Sequence, residues 1–272
     1  MAISDYPYPV SKLLQLGRPA KERLDYRALG LDESHIADLM RLATDEYLNR
    51  ESEVEIETYA PVHAWLALGQ LRAVEAIDSL LSCLRYIDEH DDDWASELLP
   101  EVFGEIGPAA IMPLRRYLED ATHSLWARVA AASGLAAIGE RHPAARGECV
   151  AALTAQLEKF HENGPALNAF VLSYLLDLQA VEAAPVMESA FAAQAIDISI
   201  AGDWEDVQIS LGLRSQRDTP RPNYAAQFFK SMELRAASDP VRRWNAVLEA
   251  KRAAKEAARA GKKSRKRKRP RR

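Results

Sequence analysis

Two stretches of the sequence, LGQLRAVEAIDSLL (Leu68–Leu81) and LLDLQAVEAAPVME (Leu175–Glu188), repeat one pattern in register, with Leu71 aligned on Leu178. Each has a leucine-containing segment, then the tetrapeptide AVEA, then a second apolar segment. Within these segments the large apolar residues recur at intervals of three and four, which is the period of one face of an α-helix. Each stretch therefore predicts the end of one helix, a tight turn and the start of a second helix.

Two further turns of the same kind lie between these copies. They are FGEIGPAAIMPLRRYL around Gly107 and LAAIGERHPAARGECVAALTAQL around Gly139. Together with Gly69 in the first copy, these glycines are expected to end the first helix of each pair, because glycine adopts the left-handed conformation that a helix C-cap requires. The intervals from Gly69 to Gly107 and from Gly107 to Gly139 are typical of the repeats of helical solenoids.

These segments resemble HEAT repeats of the short bacterial type found in phycobilisome lyases. The resemblance rests on ALGQL…AIDSLL, EIGPAAIMPL and AAIGERHPAA, and it covers about 59–193. It implies an all-α fold in which about four helix pairs stack into an armadillo-like α-solenoid with a continuous apolar core. It also implies a scaffold that holds proteins, or in some relatives nucleic acid. HEAT motifs specify architecture and do not supply chemistry.

The rest of the chain divides into segments that flank these repeats. We expect an N-terminal extension and capping helix over 1–58, a C-terminal cap and proline-containing linker over 194–237, a C-terminal helix over 238–261 and a disordered basic tail over 262–272. In the first of these, Asp32 or Ser34 is expected to be the N-cap of a helix whose apolar face includes Leu39 and Tyr47.

Positive charge is concentrated at the C-terminal end. Thirteen of the 35 Lys and Arg residues follow Ala250 beside one acid, Glu256, so residues 1–250 hold 22 bases and 39 acids. The candidate nucleic-acid-binding residues are the nine bases of the tail: Lys262, Lys263, Arg265, Lys266, Arg267, Lys268, Arg269, Arg271 and Arg272. They suit the phosphates of RNA, ribosomal RNA among them, or of DNA. No aromatic residue follows Trp244, so we expect no sequence preference.

Other roles for the tail stay open. Its charge also suits the acidic body of the same chain, where it would regulate access to that body, and a purely solvating role is a further alternative. The string KRKRPRR matches a nuclear-import pattern if the source is a nucleated cell.

Composition indicates a soluble, cytoplasmic protein. The two cysteines, Cys83 and Cys149, lie in apolar helical patterns and show no disulfide or zinc spacing. The N-terminus lacks the features of a signal peptide. The longest uncharged run, Asn163 to Leu176, is shorter than the roughly 18 to 20 apolar residues of a membrane-spanning helix.

Two acidic segments are candidate sites. GDWEDVQ (Gly202–Gln208) is interpreted as a helix start with Asp203 as its N-cap, because acids are favoured in a first helical turn. DEHDDDW (Asp88–Trp94) lacks the glycine and the final glutamate of a calcium-binding EF-hand loop, so a solvated loop is expected there.

The histidines do not predict a metal centre. The dipeptide His-Glu, which recurs on successive repeats of some metal-dependent HEAT enzymes, occurs once, at His161-Glu162, and the other histidines are expected at surfaces or helix ends. We therefore predict a non-enzymatic interaction scaffold with no cofactor, no metal and no catalytic residue. Its acidic body would bind a protein partner, and its tail would contact nucleic acid. The alternative is an enzyme of unrecognised type that uses an acidic cleft between helices.

Overall fold

The computed structural model describes residues 6–20, 23–50, 56–90 and 92–224. All regular structure in these ranges is helical and none of it is strand, which confirms the predicted all-α class. No helix of the described chain is both long and apolar enough to cross a lipid bilayer. The C-terminal helix and the basic tail that the sequence predicts lie outside the described residues.

The α-helices of the described residues are numbered in chain order. They are α1 (Ile36–Ala43), α2 (Glu46–Arg50), α3 (Ala60–Leu71), α4 (Ile77–Cys83), α5 (Tyr86–Glu89), α6 (Asp93–Ile106), α7 (Ile111–Glu119), α8 (Leu125–Arg141), α9 (Arg146–Leu157), α10 (Pro165–Asp177), α11 (Ala184–Ala192), α12 (Ile198–Ala201) and α13 (Trp204–Ser210).

The predicted N-terminal capping helix is divided between α1 and α2. Asp32 accepts a hydrogen bond from the backbone N–H of Ser34 at 3.0 Å and caps a short 3₁₀ turn that leads into α1. Asp45 accepts one from the backbone N–H of Tyr47 and starts α2. Because α2 begins as a separate helix, its residues do not continue the face that α1 buries. Leu39 is therefore buried as predicted, whereas Tyr47 is 54% exposed and does not share its face.

One local motif, a 3₁₀ turn that follows one α-helix within three residues and leads into the next, occurs four times in the described chain. A 3₁₀ turn leads directly into an α-helix at Val74–Ala76, Pro108–Ala110, Pro143–Ala145 and Val181–Ala183. The two AVEA tetrapeptides contain the first and the last of these turns. We call α3, α6, α8 and α10, which precede the turns, the leading helices. The helices that follow the turns, α4, α7, α9 and α11, are the trailing helices.

The leading and trailing helices form two sets of contacts. Along the chain, α3 contacts α6, α6 contacts α8, and α8 contacts α10. Likewise α4 contacts α7, α7 contacts α9, and α9 contacts α11. Leading helix α3 buries 11 of its 12 residues, which is typical of a helix inside a core. Trailing helix α7 buries only one stripe, Ile111, Leu114 and Leu118.

The glycines of the turns do not all act as predicted. Gly107, at φ +90°, does end α6. Gly69 and Gly139 instead lie inside α3 and α8. The left-handed residue after α3 is Arg72, at φ +54°. The expectation that each glycine closes a helix was therefore wrong for two of the three.

The positions of Gly69 and Gly139 require a residue without a side chain because atoms of the neighbouring leading helices approach them closely. Gly104 of α6 lies midway between them in the sequence, so the three form an evenly spaced series. A Cβ atom added at each glycine would lie 3.3 Å from Val102 Cα (Gly69), 3.0 Å from Ala137 Cβ (Gly104) and 2.8 Å from Leu178 Cδ2 (Gly139). Each of these distances is shorter than an ordinary contact between carbon atoms, about 3.5 to 4.0 Å.

The helical unit extends to Pro220, and of the second unit, Arg221–Arg272, the structure describes 221–224. After α13, the first part of the predicted proline-containing linker is held against that helix. Arg217 pairs with Asp203 at 2.5 Å and with Asp206 at 2.7 Å.

Candidate functional site

The nine tail residues proposed as nucleic-acid contacts, Lys262 to Arg272, lie outside the described residues. Their role therefore stays a prediction. The candidate sites below belong to the helical unit.

The acidic segment around Asp203 has a structural role, as the sequence analysis favoured. Asp203 caps α13 by accepting a hydrogen bond from the backbone N–H of Asp206 at 3.0 Å. Arg217 neutralises the cluster, and hydrogen bonding to Arg217 holds the pKa of Asp203 below its usual value. Nothing in the sequence pointed to this arginine partner, because it lies beyond the helix that Asp203 starts.

The second acidic segment also supports helix starts. Asp92 caps α6 by accepting from the backbone N–H of Ala95 at 3.1 Å. Asp88 accepts from the hydroxyl of Ser124 and from the backbone N–H of Ala127, at the start of α8. In the part of the chain that the structure describes, no three His, Cys, Asp or Glu side chains gather in a way that could hold a metal ion.

His63 differs from the expectation that histidines lie at surfaces or helix ends. It is 4% exposed, and its ring nitrogens lie 2.7 Å from the Tyr26 hydroxyl and 2.8 Å from the Gly17 carbonyl oxygen. Cys83 and Cys149 are buried free thiols. Burial raises their pKa values to about 12 and about 11, so both stay protonated and unreactive.

If the protein were instead an enzyme with an acidic cleft, two carboxylates would have to lie close enough to act together as acid and base. Burial raises the pKa of Asp92 and of Glu105. These residues lie at opposite ends of α6, about 20 Å apart along the helix axis. The pKa shifts of these two residues therefore give no support to an acid–base pair.

One cavity of the helical unit combines the features of a binding groove. It has a volume of about 270 Å³ and lies where the start of α6 and the side of α10 face the first half of α8. Its apolar surface comes from Ile87, Val129 and Ala130, and hydroxyl groups come from Ser96, Ser133 and Tyr174. The remaining lining residues are Trp126, Asp92 and Asp93. We call this cavity the α8 groove.

Trp126 is the largest exposed side chain of the α8 groove. It lies in the first turn of α8, is 44% exposed, and packs edge to face against Phe170 of α10 with ring centroids 5.5 Å apart. The contact with Phe170 orients the indole ring and leaves part of it in solvent. Exposed tryptophans of this kind are enriched among the residues that contribute most to protein interfaces.

The charged side chains that are described in the lining of the α8 groove are both acidic. No lysine, arginine or histidine is among the described residues that line it. Burial raises the pKa of Asp92, and this carboxylate has its backbone donors but no ion-pair partner in the described chain. The Asp93 side chain is exposed and forms no hydrogen bond or ion pair within the described residues. Burial also raises the pKa of Tyr174, so its hydroxyl stays neutral.

The α8 groove was not predicted from the sequence. Its residues come from four helices, α5, α6, α8 and α10, and span positions 87 to 174. The one signal present in the sequence is the acidic run DEHDDDW, which contributes Asp92 and Asp93 and by itself indicates a solvated loop. No regular spacing connects these acids with Trp126, so only the packing of α8 between α6 and α10 reveals the combination.

Comparisons with known proteins give no relative for the chain. No family model, curated protein or solved structure matches it.

Proposed function

We propose that this protein is a HEAT-like α-solenoid of about four helix pairs that serves as a non-enzymatic interaction scaffold. The four recurring turns and the two ordered sets of helix contacts support the proposed arrangement. In such an array each pair buries its apolar face only against its neighbours, so the sides of the stacked helices provide an extended surface for partners.

The partner site of this proposal is the α8 groove, and its occupant is a basic segment of another protein. The observation that carries the proposal is the exposed ring of Trp126 in a cavity whose described lining has two carboxylates and no cation. An arginine side chain would lay its aliphatic stem on Val129 and Ala130. Its guanidinium would then reach Asp93 and the face of the indole, where cation–π attraction adds to the ionic attraction.

The basic tail adds a second contact to this proposal. Lys262 to Arg272 would bind the phosphates of RNA or DNA without sequence preference, while the acidic body engages the protein partner. The support for this part is the charge of the sequence alone.

The α8 groove is tested with a labelled peptide that contains a single arginine, and with the same peptide in which citrulline replaces that arginine. Citrulline keeps the shape of the side chain and removes its charge. Fluorescence anisotropy should show that the full-length protein binds the arginine peptide more tightly. Trp126→Ala should weaken binding by about tenfold or more, because truncating a tryptophan anchor costs about 2 kcal/mol.

Matched controls separate the groove from the rest of the surface. Met112, on α7, is 45% exposed, about the same as Trp126, and Met112→Ala should leave affinity unchanged. Asp93→Asn should weaken binding by about two- to fivefold. Asp78, which also lies in the first turn of its helix, α4, gives the control Asp78→Asn. Equal affinity for the arginine and citrulline peptides would contradict the proposed occupant.

The tail is tested separately by the salt dependence of binding to single-stranded RNA. If all nine cations engage phosphates, the slope of log K against log salt should reach about −6, at roughly 0.7 per phosphate. Deletion of Lys262 to Arg272 should abolish binding. Equal RNA affinity with and without the tail would contradict this part and leave the α8 groove unaffected.

A further inference from the structure

A second cavity lies between the N-terminal segment and helices α3 and α6, on residues that the α8 groove does not use. Its volume is about 390 Å³, within the range of roughly 300 to 1,000 Å³ that is common for small-molecule sites. Its surface is mainly apolar and includes Leu16, Pro19, Leu24, Leu66, Trp94 and Leu98. We call it the N-terminal pocket.

The polar groups deep in this pocket are already satisfied by one another. Burial lowers the pKa of His63, so its imidazole is neutral. Its Nε2–H then donates to the carbonyl oxygen of Gly17, and its Nδ1 accepts from the hydroxyl of Tyr26. Both N–H and O–H donors of this chain of hydrogen bonds are therefore used. The interior of the pocket therefore suits the apolar part of a ligand.

One cation of the pocket has no carboxylate partner among the described residues. The guanidinium of Arg18 lies over the ring of Trp94, 5.3 Å from its centroid, and forms no hydrogen bond or ion pair within the described residues. The other charged lining groups are neutralised: Arg23 pairs with Glu105, and Glu101 pairs with Arg141. The charge that remains for a ligand is therefore positive, in a body whose net charge is negative.

We propose that the N-terminal pocket binds a small organic carboxylate. The apolar body of the ligand would fill the space between Leu16, Leu66 and Leu98, and its carboxylate would accept two parallel hydrogen bonds from Arg18. A guanidinium fork matches a carboxylate in this bidentate way, and Trp94 holds the fork at the rim. This site is independent of the proposed scaffold function.

The test compares octanoate, octan-1-ol and octylamine, which share an eight-carbon chain and differ in their head groups. Isothermal titration calorimetry with the full-length protein should show one octanoate bound per chain, with about tenfold or greater preference over the alcohol and the amine. Arg18→Met should lower octanoate affinity about tenfold and leave octanol affinity unchanged, because methionine keeps the apolar stem.

Two further variants locate the site. Leu98→Trp should reduce the affinity for all three compounds, because the larger side chain fills the pocket. Arg115→Met removes a half-buried arginine on α7, far from the pocket residues in sequence, and should change nothing. Arg18 is exposed, so its variant tests the proposal even if Leu98→Trp fails to fold. Equal affinity for the three compounds, absence of octanoate binding, or unchanged octanoate affinity in Arg18→Met would each overturn the proposal.

Discussion

The contact between α6 and α8 at Gly104 gives a sharp test of how the leading helices pack. A Cβ atom at this position would lie 3.0 Å from Ala137 Cβ and 3.1 Å from Arg141 Cδ. Two Cβ atoms cannot rotate away from each other, so in Gly104→Ala the helices must separate by roughly 0.5 to 1 Å to reach an ordinary contact distance. Such overpacking of a core typically costs about 1 to 3 kcal/mol.

The intrinsic helix propensity acts in the opposite direction. Replacing an interior helical glycine by alanine gains about 0.8 to 1 kcal/mol. Gly104→Ala should therefore lower the free energy of unfolding by up to about 2 kcal/mol. The matched control is Gly147→Ala in α9, where an added Cβ meets nothing within 4 Å. Gly147 is the second residue of α9, so that variant should gain less than about 1 kcal/mol, and Gly104→Ala should be the less stable of the two.

Urea unfolding followed by circular dichroism measures both variants. A double-mutant cycle with Ala137→Gly isolates the contact, since removing the facing methyl group should restore part of the stability lost in Gly104→Ala. We expect a coupling energy of about 1 to 2 kcal/mol. If Gly104→Ala is as stabilising as Gly147→Ala and shows no coupling to Ala137→Gly, the reasoning from close approach is refuted.

Three other predictions concern buried or paired charges. Asp92→Ala removes the N-cap of α6 and should lower the free energy of unfolding by about 1 kcal/mol. Asp92→Asn keeps a capping side chain, and it should match or exceed the wild-type stability at pH 7. The reason is that burial raises the pKa of Asp92 and so penalises its charged form. His63 should destabilise the fold as pH falls below its usual pKa of 6.5, by at most about 1.4 kcal/mol per pH unit, because burial lowers its pKa in the folded state. Urea unfolding between pH 5 and 7 should show this slope in the wild type and a smaller one in His63→Gln. Arg217→Met should release the segment after α13, so hydrogen exchange at the Thr219 amide, which donates to Glu205 at 3.2 Å, should accelerate.

Each of these predictions has an outcome that would contradict it. Equal losses in the alanine and asparagine variants would mean that charge burial at Asp92 has no cost. Parallel pH slopes for the wild type and the His63 variant would assign the pH dependence to other groups. Unchanged exchange at Thr219 in the Arg217 variant would mean that contacts other than the Arg217 ion pairs hold the segment.

Local sequence signals were sufficient to predict the turns between helices but not the way in which the helices pack. The two AVEA tetrapeptides marked two 3₁₀ turns correctly, because the turn and the apolar period on each side lie within one short stretch of chain. Gly69 and Gly139 were misassigned for a physical reason. A glycine that closes a helix and a glycine that faces a neighbouring helix look the same in sequence, and only the position of the neighbour separates the two roles.

Long-range pairings were beyond the sequence for a related reason. Arg18 is far from Trp94 along the chain, and Asp93 and Trp126 lie on different helices. Neither separation follows a recurring spacing. Both pairings depend on how the N-terminal segment and α8 pack against α6. The apolar pattern of an element predicts which of its faces is buried, but it does not predict which other element covers that face.

Some charged side chains are already used by the fold, and the remaining ones are available to select a charged ligand. Arg146 donates to the carbonyl oxygens of Leu178 and Gln179 at the end of α10, and Asp92 caps the start of α6. Such charges offset the helix dipole, and a ligand would compete with their backbone partners for them. Asp93 and Arg18 have no carboxylate, guanidinium or ammonium partner among the described residues, so a ligand of opposite charge displaces only water there. The two sites should consequently select opposite charges: octylamine, a poor ligand for the N-terminal pocket, carries the sign of charge that the α8 groove requires.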